Sequence, residues 1–149
     1  MPAGFVEKDL NYYLRTVRGD FGEFEETLPL KIRGPGGAKN IVILLTSPYM
    51  GHEDVGLGAR LLRFFFQALI NQQVKPRAVI LMNTAVTMAC QDSEMLGRLA
   101  ILEEQEVKVL IDAISVEELD LEGKIKVGTV SDMETITELL MAAWKVISL

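Results

Sequence analysis

The sequence predicts an α/β fold: a doubly wound parallel sheet covered by helices on both faces, in three layers. Compact apolar runs alternate with longer amphipathic stretches from residue 41 onward. The runs are nearly continuous in Val, Ile and Leu, which is typical of strands that are buried on both faces. At 149 residues the chain is long enough to enclose a hydrophobic core without disulfides or metals.

Strands and helices alternate in this pattern, and two helices begin at capping-box sequences. Ser115 with Glu118, and Ser131 with Glu134, have the spacing at which a hydroxyl and a carboxylate cap the first helical turn. Right-handed crossovers place ligand sites beyond the carboxyl ends of the strands, in the loops 47–56, 84–92, 113–115 and 131–132. The predicted strands are 41–46, 78–83, 107–112 and 125–130, and the predicted helices are 57–71, 93–105, 115–121 and 132–147.

A glycine- and proline-rich turn at residues 34–37 separates this pattern from the start of the chain. We therefore expect an N-terminal extension over residues 1–38 and the α/β domain over residues 39–149. Apolar spacing within the extension favours a helix over 5–18 and a short edge strand over 27–33.

Composition restricts the compartment and the partners. The net charge of −6 and the lack of a basic stripe argue against nucleic-acid binding, which needs clustered Lys and Arg. No apolar stretch is long enough for a signal peptide or a bilayer span, so we expect a cytoplasmic protein without a membrane partner. Cys90 is the only cysteine and cannot form an intramolecular disulfide. We expect neither a bound metal nor a cofactor.

Cys90 is the candidate catalytic residue, because it follows the second predicted strand at the edge where ligand sites are expected. A thiolate there could accept sulfur and pass it on, provided that a cation or helix amides lower its pKa. His52 is the only histidine and a candidate base, with Asp54 or Asp112 to orient it. This hypothesis requires His52, Cys90 and Asp112 to gather on one rim. The alternatives are an inert buried cysteine and, for His52, a solvated loop or a metal site.

Two further features of the sequence remain open to different explanations. Gly51, Gly56 and Gly58 precede a helix, as in a phosphate cradle, but their spacing matches no nucleotide motif, and turn geometry is the alternative. The run Phe64–Phe65–Phe66 cannot face the core with all three rings, so we expect a homo-oligomer that covers one of them. The alternative is a wide apolar face between the sheet and the N-terminal segment. The predicted binding cleft contains Met50, Gly51, Asp54, Asn83 and Thr84.

The stretch from residue 41 to residue 147 resembles the C-terminal DsrE-like domain of YedF-type proteins, proposed sulfurtransferases of the DsrE/DsrF-like family. The residues that fall in register are Ser47, Met50, Gly51, Asp54, Leu57, Gly58, Asn83, Thr84, Ala85, Val86, Ala89, Cys90, Leu96, Val127, Gly128 and Ser131. The resemblance implies a flavodoxin-like sheet, assembly into dimers, trimers or hexamers, and relay of persulfide sulfur through cysteine.

The sequence departs from that pattern at two positions. Asp112 stands where sulfur-carrying relatives have their cysteine at the end of the third strand, and Ser115 stands where the YedF-type domain has a further cysteine. Only Cys90 is left to accept sulfur from a donor protein or small persulfide. We therefore consider a sulfurtransferase or sulfur carrier of sulfur or selenium metabolism that uses Cys90. The alternatives are a non-catalytic oligomeric binding or assembly module and a flavin or nucleotide binder.

Overall fold

The computed structural model describes residues 40–149. The predicted helix over 5–18, the predicted strand over 27–33 and the boundary at residues 38 and 39 lie outside the described residues. The strands are β1 (Ile41–Leu45), β2 (Ala78–Leu81), β3 (Lys108–Asp112), β4 (Thr129–Ser131) and β5 (Lys145–Ser148). The helices are α1 (Val55–Ile70), α2 (Leu96–Glu104), α3 (Ala113–Glu118) and α4 (Met133–Ala142), and a 3₁₀ helix spans Asn83–Ala89.

Within residues 40–149 the strands form one all-parallel sheet in the order β4-β3-β2-β1-β5. The predicted α/β class, with a parallel sheet in three layers, is confirmed. The first three strands lie where the continuous apolar runs predict them. The sheet order follows the chain from β1 to β4, and α4 then returns the chain to pair β5 with β1.

Each of the central strands points alternate side chains to two separate hydrophobic clusters. On the first face, which we call the α1–α2 face, Ile43 and Val79 pack in one cluster with Phe66 of α1 and Leu99 of α2. On the opposite face, which we call the α4 face, the strand residues cluster with Ile136 of α4. The strand members of that second cluster are Val42, Ala78, Ile80 and Leu110.

The predicted helix over 132–147 is wrong in its second half. The helix ends at Ala142, Ala143 is extended, and the last residues form β5. The amide of Trp144 donates to the carbonyl of Asn40 at 3.0 Å, which starts the pairing with β1. Strand pairing with β1 therefore outweighs the helical spacing of the apolar side chains, as tertiary contacts often override local propensity.

The fourth strand is shorter than predicted and the helix caps are different residues. β4 begins only at Thr129, because Gly128 before it has a φ of +90°. Asp112 caps α3 and Asp132 caps α4, each accepting a hydrogen bond from the amide three residues later. The two predicted serine caps are therefore wrong: the cap of α3 lies three residues before Ser115, and the cap of α4 lies one residue after Ser131. In each helix an aspartate carboxylate takes the place of the serine hydroxyl.

In the part of the chain that the structure describes, no helix combines the length and the apolar character needed to cross a bilayer.

Candidate functional site

A cavity of about 410 Å³ lies at the carboxyl ends of β1, β2 and β3. Thr46 follows β1, Met82 and Asn83 follow β2, and Asp112 is the last residue of β3. We call this space, which Asp112 lines, the Asp112 cavity. Sites beyond the carboxyl ends of parallel strands are the ones expected for this fold class.

A short hydrogen-bond chain forms one wall of the Asp112 cavity. The Ser115 hydroxyl donates to Asp112 Oδ2 at 2.6 Å, and the Ser115 amide donates to the same oxygen at 2.9 Å. The amide of Asn83 donates to Ser115 Oγ at 2.7 Å. This chain links the ends of β2 and β3, and it occupies one carboxylate oxygen of Asp112 completely.

The other carboxylate oxygen, Asp112 Oδ1, is buried and has no hydrogen-bond partner among the described residues. The Asp112 residue is only 3% exposed, and it is the one charged side chain that is buried in the described part of the chain. A buried carboxylate oxygen without a donor costs free energy, and such groups in native proteins usually indicate a ligand, an ion or a water. Asp112 is therefore the residue of this cavity that still lacks a hydrogen-bond donor among the described residues.

Asn83 adopts a backbone conformation that L-amino acids rarely use, with a φ of +52°. Asn is one of the few non-glycine residues that tolerate this region. The turn aims the Asn83 amide at Ser115, and strained backbone of this kind clusters at functional sites. The next residue, Thr84, is exposed, and its carbonyl accepts from the Thr87 hydroxyl at 2.7 Å; it does not line the Asp112 cavity.

His52 lies in a second cavity of about 490 Å³, formed by the loop after β1 and the start of α1. Met50, Gly51 and Asp54 line it as well, and His52 is exposed. Asp54 caps α1, because its Oδ1 accepts from the Leu57 amide at 2.9 Å. The predicted cleft is thus divided between two cavities: Met50, Gly51 and Asp54 lie at His52, and Asn83 lies at Asp112.

The glycines of this loop have a structural explanation. Gly51 has a φ of +86°, which favours glycine. Gly58 is buried against the loop, and an added Cβ would lie 2.4 Å from the Met50 carbonyl oxygen. The Met50 amide also donates to the Gly58 carbonyl at 3.1 Å, so the close approach of helix and loop requires a residue without a side chain.

Cys90 follows the 3₁₀ helix and is partly buried. Its Sγ is 3.8 Å from the Val86 carbonyl oxygen, and its backbone forms an isolated antiparallel bridge with Ile125. Burial raises the pKa of the Cys90 thiol above its ordinary value, and the nearby Lys124 ammonium lowers it by a smaller amount. The thiol is therefore less ionised at neutral pH than an exposed cysteine.

Within the described residues, the three side chains that the sequence grouped as nucleophile, base and orienter do not line one common cavity. His52 and Asp112 line different cavities, and Cys90 lines neither of them. Among residues 40–149 no hydrogen bond joins Cys90 to His52 or to Asp112. The same residues contain no group of three His, Cys, Asp or Glu side chains arranged to hold a metal ion.

Sequence reasoning identified Asp112 and Asn83 but missed Ser115 as a site residue. Ser115 stands three residues after an aspartate that ends a buried strand. At that spacing the third amide of a new helix can donate to the carboxylate of an N-cap aspartate. This signal in the sequence would have predicted the contact between Asp112 and Ser115.

Comparison with known proteins shows the fold. No family model and no curated protein matches the chain. The crystal structure of the YchN protein from E. coli matches with a TM-score of 0.53 at 21% sequence identity. The match covers 73% of this chain and 97% of the YchN chain. The structure of MTH1491 from Methanobacterium thermoautotrophicum, a protein of unknown function, matches with a TM-score of 0.53 at 16% identity and the same coverage. The chain therefore shares the fold of the YchN protein.

Proposed function

We propose that this protein is a DsrE-like binding module that holds a small ligand with a hydrogen-bond donor in the Asp112 cavity. The observation that supports this function most directly is the buried, unpartnered Asp112 Oδ1. Ser115 already satisfies Oδ2, so the remaining oxygen can accept from a ligand without disturbing the helix cap. An aspartate at this position also fits a binding role better than sulfur transfer, since a carboxylate cannot carry sulfane sulfur.

Access to Asp112 Oδ1 requires a small adjustment of the cavity wall. This oxygen is closed off from solvent in the unliganded chain. Three residues of the wall, Thr46, Asn83 and Ile114, are exposed, and exposed side chains exchange rotamers rapidly. We therefore expect the ligand to displace one of them as it binds, and to select the conformation in which Oδ1 is open.

Amide NMR of the full chain with a fragment collection rich in hydroxyl, amide and amine donors tests this function. We expect fragments that bind to shift the Asn83 and Ser115 amides, and the shifts to disappear in Asp112→Asn, which replaces the free acceptor by a donor. Asp54→Asn is the matched control, because Asp54 also caps a helix but lines the His52 cavity. Shifts that cluster around His52, or that survive in Asp112→Asn, would contradict the proposal.

A second candidate function is sulfur carriage on Cys90, as the resemblance to YedF-type domains implies. It is supported by the partial exposure of Cys90; burial raises the pKa of the thiol, and the Lys124 ammonium offsets part of that rise. In this reaction the Cys90 thiolate attacks the outer sulfur of a persulfide R–S–SH. The donor's S–S bond breaks, the donor leaves as the thiolate R–S⁻, and Cys90 carries the S–SH group. Electrons balance without a separate oxidant.

Incubation with a low-molecular-weight persulfide and intact-protein mass spectrometry tests sulfur carriage. We expect one added sulfur atom that dithiothreitol removes and that Cys90→Ser lacks. Since burial raises the pKa of the thiol, the rate should keep rising with pH beyond the range in which an exposed cysteine peptide has levelled off. This function would be ruled out if the wild-type chain gains no removable sulfur at any pH at which it stays folded.

The predicted homo-oligomer remains part of the proposal. Phe66 is fully buried, whereas Phe64 is 62% exposed on the outer side of α1. Leu57 and Leu61 on the same helix are also about half exposed, at 53% and 46%. An apolar strip of this kind is a common feature of subunit interfaces, and sedimentation of the full chain would show whether it pairs.

A further inference from the structure

We propose, on the basis of the binding function above, that the Asp112 cavity selects a cation on an apolar stem, an ammonium or a guanidinium group. The proposal rests on how charge, hydrogen-bonding capacity and apolar surface are distributed over the cavity wall.

Both charged residues that line the Asp112 cavity within the described part of the chain are acidic. Asp112 is buried and Glu118 is exposed, and the lining contributed by residues 40–149 contains no Lys, Arg or His. An anionic ligand such as a phosphate or a carboxylate would meet two negative charges and no compensating cation. A cation would be attracted by both, and the attraction to Asp112 is stronger because that carboxylate is shielded from water.

The hydrogen-bonding groups lead to the same ligand class. The Ser115 hydroxyl donates to Asp112 and accepts from the Asn83 amide, so it has little capacity left for a ligand. Among the described lining residues, the buried polar atom without a hydrogen-bond partner is an acceptor, Asp112 Oδ1. Ammonium and guanidinium groups consist only of donors, and hydrogen bonds between them and a carboxylate are among the strongest in proteins.

Three of the remaining lining residues are apolar and suit the stem that carries the cation. Met82, Ile114 and Leu119 line the cavity, and Ile114 is 54% exposed and Leu119 39% exposed. A chain of several methylene groups would cover part of this surface, and the burial of apolar area favours binding. The ligand is therefore amphipathic, with its charge at Asp112 and its stem along Ile114 and Leu119.

Titrations of the full chain with three probes of equal length test the charge preference: pentylamine, pentanol and pentanoate. We expect pentylamine to shift the Asn83 and Ser115 amides, pentanol to bind about tenfold more weakly or worse, and pentanoate not to bind. Equal affinity for pentanol and pentylamine would overturn the cation preference and leave the binding function intact. If neither these probes nor the donor fragments shift those amides, the binding function itself fails.

Substitutions of the two acidic lining residues test which carboxylate attracts the cation. Asp112→Asn should weaken pentylamine at least tenfold, and the exposed Glu118→Gln about two- to fivefold, since surface charges contribute less. Glu117→Gln is the matched control, because Glu117 is an exposed neighbour that does not line the cavity. Glu118→Gln keeps the test valid if Asp112→Asn unfolds. The proposal would be overturned if Asp112→Asn folds and both variants bind pentylamine with the affinity of the wild type.

A lysine side chain of a protein and a free amine offer the same chemistry. Nα-acetyl-lysine methylamide carries the ammonium on a four-methylene stem attached to a backbone. Binding equal to or tighter than pentylamine would point to a peptide source, and loss of binding would point to a free amine.

Discussion

Phe66→Ala is expected to lower the free energy of unfolding by about 3–5 kcal/mol, the range for removing a large buried aromatic side chain. Phe66 is completely buried and packs in the cluster that joins α1 to β1, β2 and α2. Its ring also meets Phe65 edge to face, with 5.7 Å between centroids. Alanine would leave a cavity that rigid strands on one side cannot fill. Urea unfolding followed by circular dichroism measures the change.

Phe64→Ala provides the control within the same run of three rings. Phe64 is 62% exposed and lies 5.7 Å from the Arg60 guanidinium, so its loss should change stability by about 0.5 kcal/mol or less. Equal losses for the two variants would show that the assignment of buried and exposed rings on α1 is wrong. A large loss at Phe64 that depends on protein concentration would instead indicate that this ring is covered in an oligomer.

Gly128→Ala is expected to destabilise the edge of the sheet through two separate costs. The residue has a φ of +90°, and a side chain in a left-handed conformation costs about 1–2 kcal/mol. An added Cβ would also lie 2.9 Å from the Val109 carbonyl oxygen and 3.1 Å from Ile111 Cδ1. Overpacking of this kind costs about 1–3 kcal/mol more. Thermal unfolding should therefore show a clearly lower midpoint.

Gly123→Ala separates the two costs. Gly123 has a similar φ of +81°, but an added Cβ there would have no atom within 4 Å. We expect only the conformational cost at this position. If the two variants lose the same stability, the contact of residue 128 with β3 has no energetic importance.

Much of the fold follows from local sequence patterns, and the exceptions have physical causes. β1, β2 and β3 are nearly continuous apolar runs, because both of their faces are covered. β5 carries apolar residues at spacings that also suit a helix, and its conformation is decided by pairing with β1, a contact more than 100 residues away in the chain. No local pattern contains that information.

The candidate site was only partly predictable for the same reason. Asp112 and Asn83 are marked by their positions after buried strands, so the carboxyl-edge rule finds both. His52 lines a cavity that Cys90 does not line. Which loop residues share a cavity depends on tertiary packing, and a sequence motif cannot show this. The burial of Asp112 Oδ1 without a partner depends on tertiary packing, so it became visible only in the structure.

Alternation along β3 gives the two candidate functions different locations. Ile111 points to the α1–α2 face, so Asp112 points with Leu110 to the α4 face, where Met82 also packs. The neighbours of Cys90, which include Val86 and Ala89, belong to the α1–α2 face. Among residues 40–149 the two side chains share no hydrogen-bond partner, so the effects of Asp112→Asn and Cys90→Ser on the free energy of unfolding should sum in the double variant.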